Sequence, residues 1–461
     1  MPGQPMSPEE LCYMTADALR AGYSKGTFSP LEICEVLLAR MSALNDTVNA
    51  YVLLGGEELR EAAKASSARW RDASPLGPLD GIPVAVKDVL PVRGWPTRHG
   101  SPACAGASAE SRDAVAVARL REAGALITGK TRTWEFAWHG RVDRPPEEVV
   151  RNPWALEHST LGSSSGSAAA VASGQGVAAL GTDSGGSVRG PASACGIVGI
   201  KPTQARVPVY PPSPMMEMEH IGVLARTVRD AALVLGTVAG YHSLDPDSWP
   251  FAEENFEDGL ETGIEGLTIG ISSTFGCTEL HPDVEDVFDE VVANLGQLGV
   301  NTTILDIKLG DVYENTTTIY TPMAMASLDE VPTGKESLAD PLVLELNADS
   351  TQLSSKDYFR ALQQRLAIRR LFTHAFDNVD LMLTPTLETV PNRLTEPSPD
   401  MLLNRIFDLT GQPSVSVPVG SSETGLPIGV QIVANKGQDA LALRAAHALE
   451  KLYPPRRPPE P

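Results

Sequence analysis

The chain has 461 residues, of which 42% are hydrophobic and 21% charged, a composition common among globular proteins. Its formal net charge of −21 disfavours a protein that grips nucleic-acid phosphates, because such surfaces are basic. The amino-terminal sequence MPGQPMSPEE lacks the pattern of a signal peptide, and no uninterrupted apolar run reaches the ~18 residues of a membrane span, so we expect a cytoplasmic protein without nucleic-acid or membrane partners.

The first part of the chain is predicted to be helical. Residues 7–10 (SPEE) are typical of a capped first turn, and the Ser-Pro pair at 29–30 opens a second helix, in which apolar residues recur at helical spacing over 31–41. A third helix is predicted over residues 57–71. We expect residues 1–75 to form a helical segment that packs on the core.

Strands and helices then alternate, which is typical of an α/β domain with a largely parallel sheet. The apolar run at 84–86 predicts a buried strand that ends at Lys87. Further strands are predicted at 125–130, 266–271, 300–305, 381–385, 414–418 and 428–433, and further helices at 113–123, 227–236, 284–298 and 439–452. We expect one large α/β domain over residues 76–453, with its most variable part at about 240–375, followed by a disordered proline-rich tail at 454–461.

Two glycine- and serine-rich clusters are the most informative part of the sequence. They surround Ser163 and Ser187, which lie 24 positions apart. Taken singly, such clusters are more often loops or linkers, and a lysine such as Lys87 is more often a surface residue. Here, however, the clusters flank a compact segment rich in alanine and valine, which a linker does not need. Two buried serines and a lysine could form a nucleophilic site without histidine, and the eight histidines form no HExxH motif.

Several motifs together resemble the amidase signature family. They are GIPVAVKD (81–88), NPW (152–154), GSSSGSAAA (162–170), GTDSGGSVRGPASACGIVGIKPT (181–203), GVLARTVRDAA (222–232), LTPT (383–386), GQPSVSVPVG (411–420) and GLPIGVQIV (425–433). The resemblance covers roughly residues 25–450. It implies the amidase signature fold, in which helices cover both faces of a large mixed, mostly parallel β-sheet, so that residues 76–453 are the catalytic domain.

The resemblance also implies roles for individual residues. Ser187 would be the nucleophile, Ser163 a bridging serine that follows a cis peptide bond, and Lys87 the base. The backbone N–H groups of Ser184, Gly185, Gly186 and Ser187 would form the oxyanion hole. Ser164, Asp183 and Arg189 would brace the site, and Trp134, Phe136, Trp138 and Leu161 are candidates for the wall of the substrate pocket.

The chemistry of such a triad depends on the protonation state of the lysine. A serine hydroxyl is a weak nucleophile until a base takes its proton, and lysine can act as that base only when burial or nearby positive charge lowers its pKa. Ser163 would relay the proton between Lys87 and Ser187 and return it to the leaving amine. Leu161 and Ser165 depart from the usual glycines of the family, which could alter the pocket wall but leaves the triad complete.

The function expected from the resemblance is hydrolysis of a carbon–nitrogen acyl bond in a small linear amide, with aryl amides, carbamates or esters as further substrates. No cofactor is expected, and the five scattered cysteines without CxxC spacing give no hint of a metal site. A homodimer is compatible with this view. The main alternative is the glutaminase subunit of a tRNA-dependent amidotransferase, which works inside a complex. A non-enzymatic descendant is disfavoured because Lys87, Ser163 and Ser187 are all present.

Overall fold

The computed structural model describes residues 6–138, 149–248, 250, 254–310 and 312–460. Its first four helices form the amino-terminal part: α1 (Pro8–Cys12), α2 (Ala16–Lys25), α3 (Pro30–Val48) and α4 (Gly56–Arg71). The predicted start of α3 is correct, because Ser29 and Glu32 cap it reciprocally and Pro30 occupies its first turn. These helices pack on the sheet, and the Asp230 carboxylate accepts a hydrogen bond from the Ala16 N–H at 2.9 Å.

The remaining elements follow in chain order. Ten further helices are described: α5 (Val115–Glu122), α6 (Ser165–Ala172), α7 (Arg189–Ala194), α8 (Val228–Val238), α9 (Pro282–Asn294), α10 (Val312–Ala326), α11 (Pro341–Ser350), α12 (Ser355–Ala375), α13 (Leu402–Thr410) and α14 (Asp439–Leu452). The strands are β1 (Tyr51–Leu54), β2 (Pro83–Lys87), β3 (Leu126–Thr131), β4 (Arg151–Asn152), β5 (Ala155–Ser159), β6 (Ala178–Asp183), β7 (Val198–Lys201), β8 (His220–Ala225), β9 (Thr268–Ile271), β10 (Asn301–Ile304), β11 (Leu381–Pro385), β12 (Ser414–Ser421) and β13 (Pro427–Ala434).

Eleven of the described strands form one mixed sheet in the order β1-β3-β2-β6-β8-β7-β12-β13-β11-β9-β10. The large mixed sheet confirms the expected α/β fold class. The expectation that it is mostly parallel is wrong for the described strands, because only the four pairs β2–β3, β2–β6, β9–β10 and β9–β11 are parallel. Crossover helices such as α5 and α9 produce parallel pairs, whereas close returns such as β12–β13 produce antiparallel ones.

The centre of the sheet positions the serine-rich segments. Every residue of β2, β6, β8 and β13 is buried, which requires cover on both faces of the sheet. Helix α6 is likewise buried along its whole length. Its small side chains allow a close approach, and a Cβ added at Gly166 would lie only 2.5 Å from the Arg132 backbone nitrogen. The tight packing of α6 holds Ser163, just before it, against the end of β6.

The disordered tail at 454–461 stays a prediction, and two described side chains of this segment contact the amino-terminal part. The Arg457 guanidinium lies 4.4 Å from the centre of the Tyr13 ring, and Glu460 pairs with Arg40 at 2.9 Å. Cation–π contacts and ion pairs of this kind hold a proline-rich segment against the rest of the protein. The division into residues 1–75 and 76–453, with an insert at about 240–375, stays a prediction. Within the described ranges, no helix is long and apolar enough to cross a membrane.

Candidate active site

Lys87 is fully buried at the carboxyl end of β2. Its Nζ lies 2.6 Å from Ser163 Oγ, 2.8 Å from Thr182 Oγ1 and 3.3 Å from the Thr182 carbonyl oxygen. The parallel pairing of β2 with β6 produces this contact, because it brings the end of β2 beside the end of β6. Burial lowers the pKa of Lys87 to about 7. The nearby negative charges of Glu219 and Asp183 raise this pKa and offset only part of the effect of burial. A large fraction of the amine is therefore neutral near pH 7.

Ser163 lies in a tight turn directly before α6. The Gly162–Ser163 peptide bond is cis, and the Ser163 side chain is fully buried. The Ser163 carbonyl accepts a hydrogen bond from the Trp134 N–H at 3.2 Å, and a side chain at Gly162 would overlap the Trp134 ring. One residue later, the Ser164 N–H donates to the Ser187 carbonyl at 3.1 Å. The turn that carries Ser163 is thus joined directly to the loop that carries Ser187.

The loop from Ser184 to Ser187 follows β6 and is shaped by Asp183. The Asp183 carboxylate accepts hydrogen bonds from the backbone N–H groups of Gly186 at 2.7 Å, Val188 at 3.1 Å and Arg189 at 3.3 Å. The Gly186 N–H is thus bound to Asp183 in this arrangement, and its oxyanion role stays a prediction. The other three predicted donors are Ser184, Gly185 and Ser187.

A buried charge network fixes this loop from behind. Arg189 pairs with Asp183 at 2.9 Å and with Asp408 at 2.7 Å, and it donates to Gln431 Oε1 at 3.1 Å. Burial opposes ionisation of Asp183, but Arg189 outweighs it and holds the pKa of that carboxyl below its ordinary value. Burial and the charge of Asp183 raise the pKa of Asp408. The predicted bracing residues Ser164, Asp183 and Arg189 thus contact the loop, and α13 and β13 anchor it.

The hydroxyl of Ser184 is hydrogen-bonded to a carboxylate that was not predicted to be a site residue. Ser184 Oγ donates to Glu219 Oε2 at 3.2 Å, and Ser213 Oγ donates to the same oxygen at 2.8 Å. Glu219 is 9% exposed and comes directly before β8. Thr182, which contacts Lys87, was also missed. Glu219 precedes β8, and the pairing of β8 with β6 brings it to the site. Thr182 lies in β6 itself, within the motif at 181–203.

A cavity of about 90 Å³ lies at the Ser187 loop. The predicted wall residues Trp134, Phe136 and Trp138 belong to its lining, together with Ser163 and Ser187. Its other lining residues are Ala137, Thr182, Ser184, Gly185, Met215, Tyr320, Met401 and Arg405. The distant Met215, Tyr320, Met401 and Arg405 were not predicted, since no spacing signal connects them to the motifs.

Leu161 is not part of this lining, and its predicted role in the pocket wall stays a prediction. It is fully buried in a small apolar cluster with Ala194, Leu387 and Met401. Its φ of 55° belongs to the left-handed region, which turns the side chain into that cluster. Leu161 therefore supports the cavity from behind Met401.

Comparison with known proteins agrees with this geometry. The family model described as Amidase matches residues 32–443, which is most of the chain. The chain belongs to the amidase signature family. Within the described ranges, no group of three or more His, Cys, Asp or Glu side chains has the arrangement of a metal site.

Relatives of this amidase signature protein include both enzymes and components of complexes. One subunit of the glutamyl-tRNA(Gln) amidotransferase of Geobacter metallireducens is 34% identical over 96% of this chain and 98% of its own length. The crystal structure of a bacterial aryl acylamidase of the same family superposes with a TM-score of 0.89 at 25% identity, covering 96% of both chains. Another crystal structure, of an amidase, has a TM-score of 0.82 at 31% identity over 95% of this chain and 99% of that one.

Proposed function

We propose that this protein is an amidohydrolase that forms an acyl-enzyme on Ser187, with Ser163 as proton relay and Lys87 as base. The contact between the buried Lys87 Nζ and Ser163 Oγ, at 2.6 Å, carries the proposal. A lysine whose pKa is about 7 has a lone pair available for a hydroxyl proton at neutral pH. The direct link between the Ser163 turn and the Ser187 loop supports a continuous relay.

In the acylation step, Ser187 Oγ attacks the carbonyl carbon of the amide. The Ser187 proton moves to Ser163 Oγ while the Ser163 proton moves to Lys87 Nζ, and the carbonyl electron pair moves to oxygen. When this pair returns, the carbon–nitrogen bond breaks. Lys87 gives its proton back through Ser163 to the leaving nitrogen. Water then attacks the ester by the same relay and releases the acid, so Lys87 ends each half-reaction neutral.

The oxyanion would be stabilised by backbone N–H groups of Ser184, Gly185 and Ser187. Loss of one such donor typically lowers the rate by ~100- to 1,000-fold. The hydrogen bonds of Asp183 to Gly186, Val188 and Arg189 support this role indirectly, because they fix the shape of the loop. No step of this scheme requires a cofactor or a metal ion.

Aromatic and thioether side chains dominate the cavity, which favours a neutral substrate with an apolar part. Trp134, Phe136, Trp138, Met215 and Met401 supply these groups. Aryl amides fit such a wall, and carbamates and esters present the same carbonyl to Ser187. We further propose that this protein is cytoplasmic and acts on a small molecule, either as a monomer or as a homodimer.

The second candidate function is the glutaminase subunit of a tRNA-dependent amidotransferase. It is favoured by the similarity to one component of such an enzyme, at 34% identity over nearly the whole chain. Against it, glutamine carries both an ammonium and a carboxylate group. The lining of the described cavity contains one charged side chain, Arg405, and no carboxylate to pair with the ammonium. The cavity therefore favours a stand-alone amidase.

A fluorophosphonate probe tests the proposal, since it phosphonylates activated serines with loss of fluoride. Intact-mass and peptide analysis should find one adduct, on Ser187, and none in a Ser187→Ala variant. A Ser165→Ala variant is the matched control and should keep the adduct, because Ser165 begins α6 outside the cavity lining. The same purified chain is then assayed on acetanilide, benzamide, a carbamate and glutamine. Absence of an adduct on Ser187 contradicts the mechanism, and turnover of glutamine alone favours the second candidate.

A further inference from the structure

Two polar groups in the cavity wall have no hydrogen-bond partner among the described residues. They are the Tyr320 hydroxyl and the Trp138 indole Nε1, and both atoms are buried. The whole Tyr320 residue is only 3% exposed. Leaving such a group unpaired is costly, and the great majority of buried polar side-chain atoms in proteins are paired. Two unpaired polar groups in one cavity indicate that a bound ligand supplies their hydrogen-bond partners.

Both groups lie close to the reacting centre. A Cβ added at Gly185, in the loop that carries Ser187, would lie 3.6 Å from Tyr320 Cε2. The Tyr320 and Trp138 rings meet edge to face, with centroids 6.4 Å apart and an interplanar angle of 88°. A substrate bound at Ser187 therefore lies in the cavity whose wall contains both side chains.

The packing behind the two rings keeps them in place. Tyr320 belongs to a buried apolar cluster with Phe372 and Phe407, and Trp138 packs against the same cluster. Burial raises the pKa of Tyr320, which keeps its hydroxyl protonated and able to donate. A site that is preorganised in this way loses little entropy on binding and can discriminate between similar ligands.

The chemistry of the two groups limits the ligand. An indole N–H only donates and a phenol can donate as well as accept, so an acceptor atom on the ligand suits either group. Arg405, the one charged side chain in the described lining, lies over the Tyr313 ring at 5.3 Å and has Asp400 at 3.7 Å. Its charge thus has partners within the protein. The large side chains of the remaining wall are aromatic or thioether groups, and its other residues are small or carry hydroxyl groups, so a neutral acceptor on an apolar group fits best.

We infer that Tyr320 and Trp138 select amide substrates with an aryl group that carries a neutral acceptor oxygen beyond the scissile bond. An aryl ether or a second carbonyl has this chemistry. The inference rests on the proposed function and names the substrate class of the same site. It assigns to Tyr320 and Trp138 a part in specificity, separate from the proton relay of Lys87 and Ser163.

Binding to an inactive variant tests the inference without requiring turnover. In a Ser187→Ala background, isothermal titration calorimetry compares 4-methoxyacetanilide with 4-ethylacetanilide, and 4-methoxybenzamide with 4-ethylbenzamide. Within each pair the compounds have similar size and shape, and only the methoxy member has the acceptor oxygen. We expect the methoxy member of at least one pair to bind ~10-fold more tightly. Adding Tyr320→Phe or Trp138→Phe should reduce this ratio at least threefold.

Tyr313→Phe, in the same background, is the matched control, since Tyr313 lies on the same helix but outside the cavity lining. It should leave the ratio unchanged. Equal affinity within both pairs, no binding of any member, or a ratio insensitive to Tyr320→Phe and Trp138→Phe overturns the inference. The fluorophosphonate adduct on Ser187 of the unmodified protein is measured in parallel. If the adduct forms but the affinity ratio does not behave as expected, only the inference is refuted. A missing adduct refutes the proposed function itself.

Discussion

The lowered pKa of Lys87 predicts that the free energy of unfolding rises with pH above neutrality. In the folded protein burial lowers this pKa from 10.5 to about 7. The unfolded chain exposes the amine and keeps the ordinary value. Between the two pKa values the unfolded chain binds more protons than the folded one, so raising the pH stabilises the folded protein. This contribution is complete only above the unfolded pKa, and it is lost as the pH falls toward 7.

The size of the effect follows from the two pKa values. Stability changes by ~1.4 kcal/mol for each pH unit over which the folded and unfolded chains differ by one proton. Between pH 7 and pH 9 the unfolded amine stays protonated while the folded amine loses its proton. Lys87 alone should therefore add ~2 kcal/mol to the free energy of unfolding over these two pH units.

A Lys87→Met variant isolates this contribution, because methionine has a similar length and cannot titrate. The free energies of unfolding of both proteins are measured by urea denaturation at pH 7, 8 and 9. We expect the stability of the variant relative to the unmodified protein to fall by ~2 kcal/mol from pH 7 to pH 9. Lys64→Met is the control, since the Lys64 side chain is 49% exposed, and its stability difference should not vary with pH. A difference for Lys87→Met that is constant across this range refutes a buried, largely neutral lysine.

Three further predictions concern catalysis and the nucleophile loop. The value of kcat/KM for an anilide should rise through pH about 7 and then level off, because only the neutral Lys87 acts as a base, and a rate that falls over pH 6–8 contradicts this role. Glu219→Gln removes a negative charge that raises the pKa of Lys87, so the midpoint of that pH profile should move to lower pH, and a midpoint that stays or rises counts against the coupling. Gly186→Ala should lower the free energy of unfolding by more than ~2 kcal/mol and abolish labelling of Ser187, because φ is 106° and the new Cβ would lie 2.6 Å from Asn404 Cβ. Gly185→Ala, whose Cβ meets no atom closer than 3.6 Å, is its control in thermal unfolding, and equal stability of the two variants would show the strain argument to be wrong.

The parts of the site that were predictable lie in continuous motifs. The predicted strand at 84–86 ends at Lys87, as β2 does, and the segments around Ser163 and Ser187 are long enough to carry a family resemblance. The cavity wall was less accessible to prediction. Tyr320 and Arg405 lie more than 100 residues beyond these motifs, and the packing of α10 and α13 over the Ser187 loop brings them to the cavity.

The hydrogen bond from the Gly186 N–H to Asp183 has a local cause. A turn rich in glycine can aim several N–H groups at one point, so all four residues from Ser184 to Ser187 were candidates for the oxyanion hole. The preceding Asp183 was predicted only to brace the site. A carboxylate at the end of a strand readily accepts hydrogen bonds from N–H groups a few residues later, and here it binds that of Gly186. The residue that fixes the loop thereby occupies one of its N–H groups.

Burial alone does not make a lysine into the base of this site. Lys201 is also fully buried, and burial lowers its pKa to about 8, but its Nζ donates to the carbonyl oxygens of Gln412 and Pro202. Lys130 is buried too, and it pairs with Asp88 at 2.8 Å. Asp88 follows Lys87 directly, yet its carboxylate is directed to Lys130, so Lys87 keeps no carboxylate in contact that would hold it charged. Among these three lysines, Lys87 alone combines burial, the absence of a paired carboxylate and a serine hydroxyl at 2.6 Å. Accepting a proton from a serine hydroxyl requires all three conditions, which is why this position can serve as the base and the other two cannot.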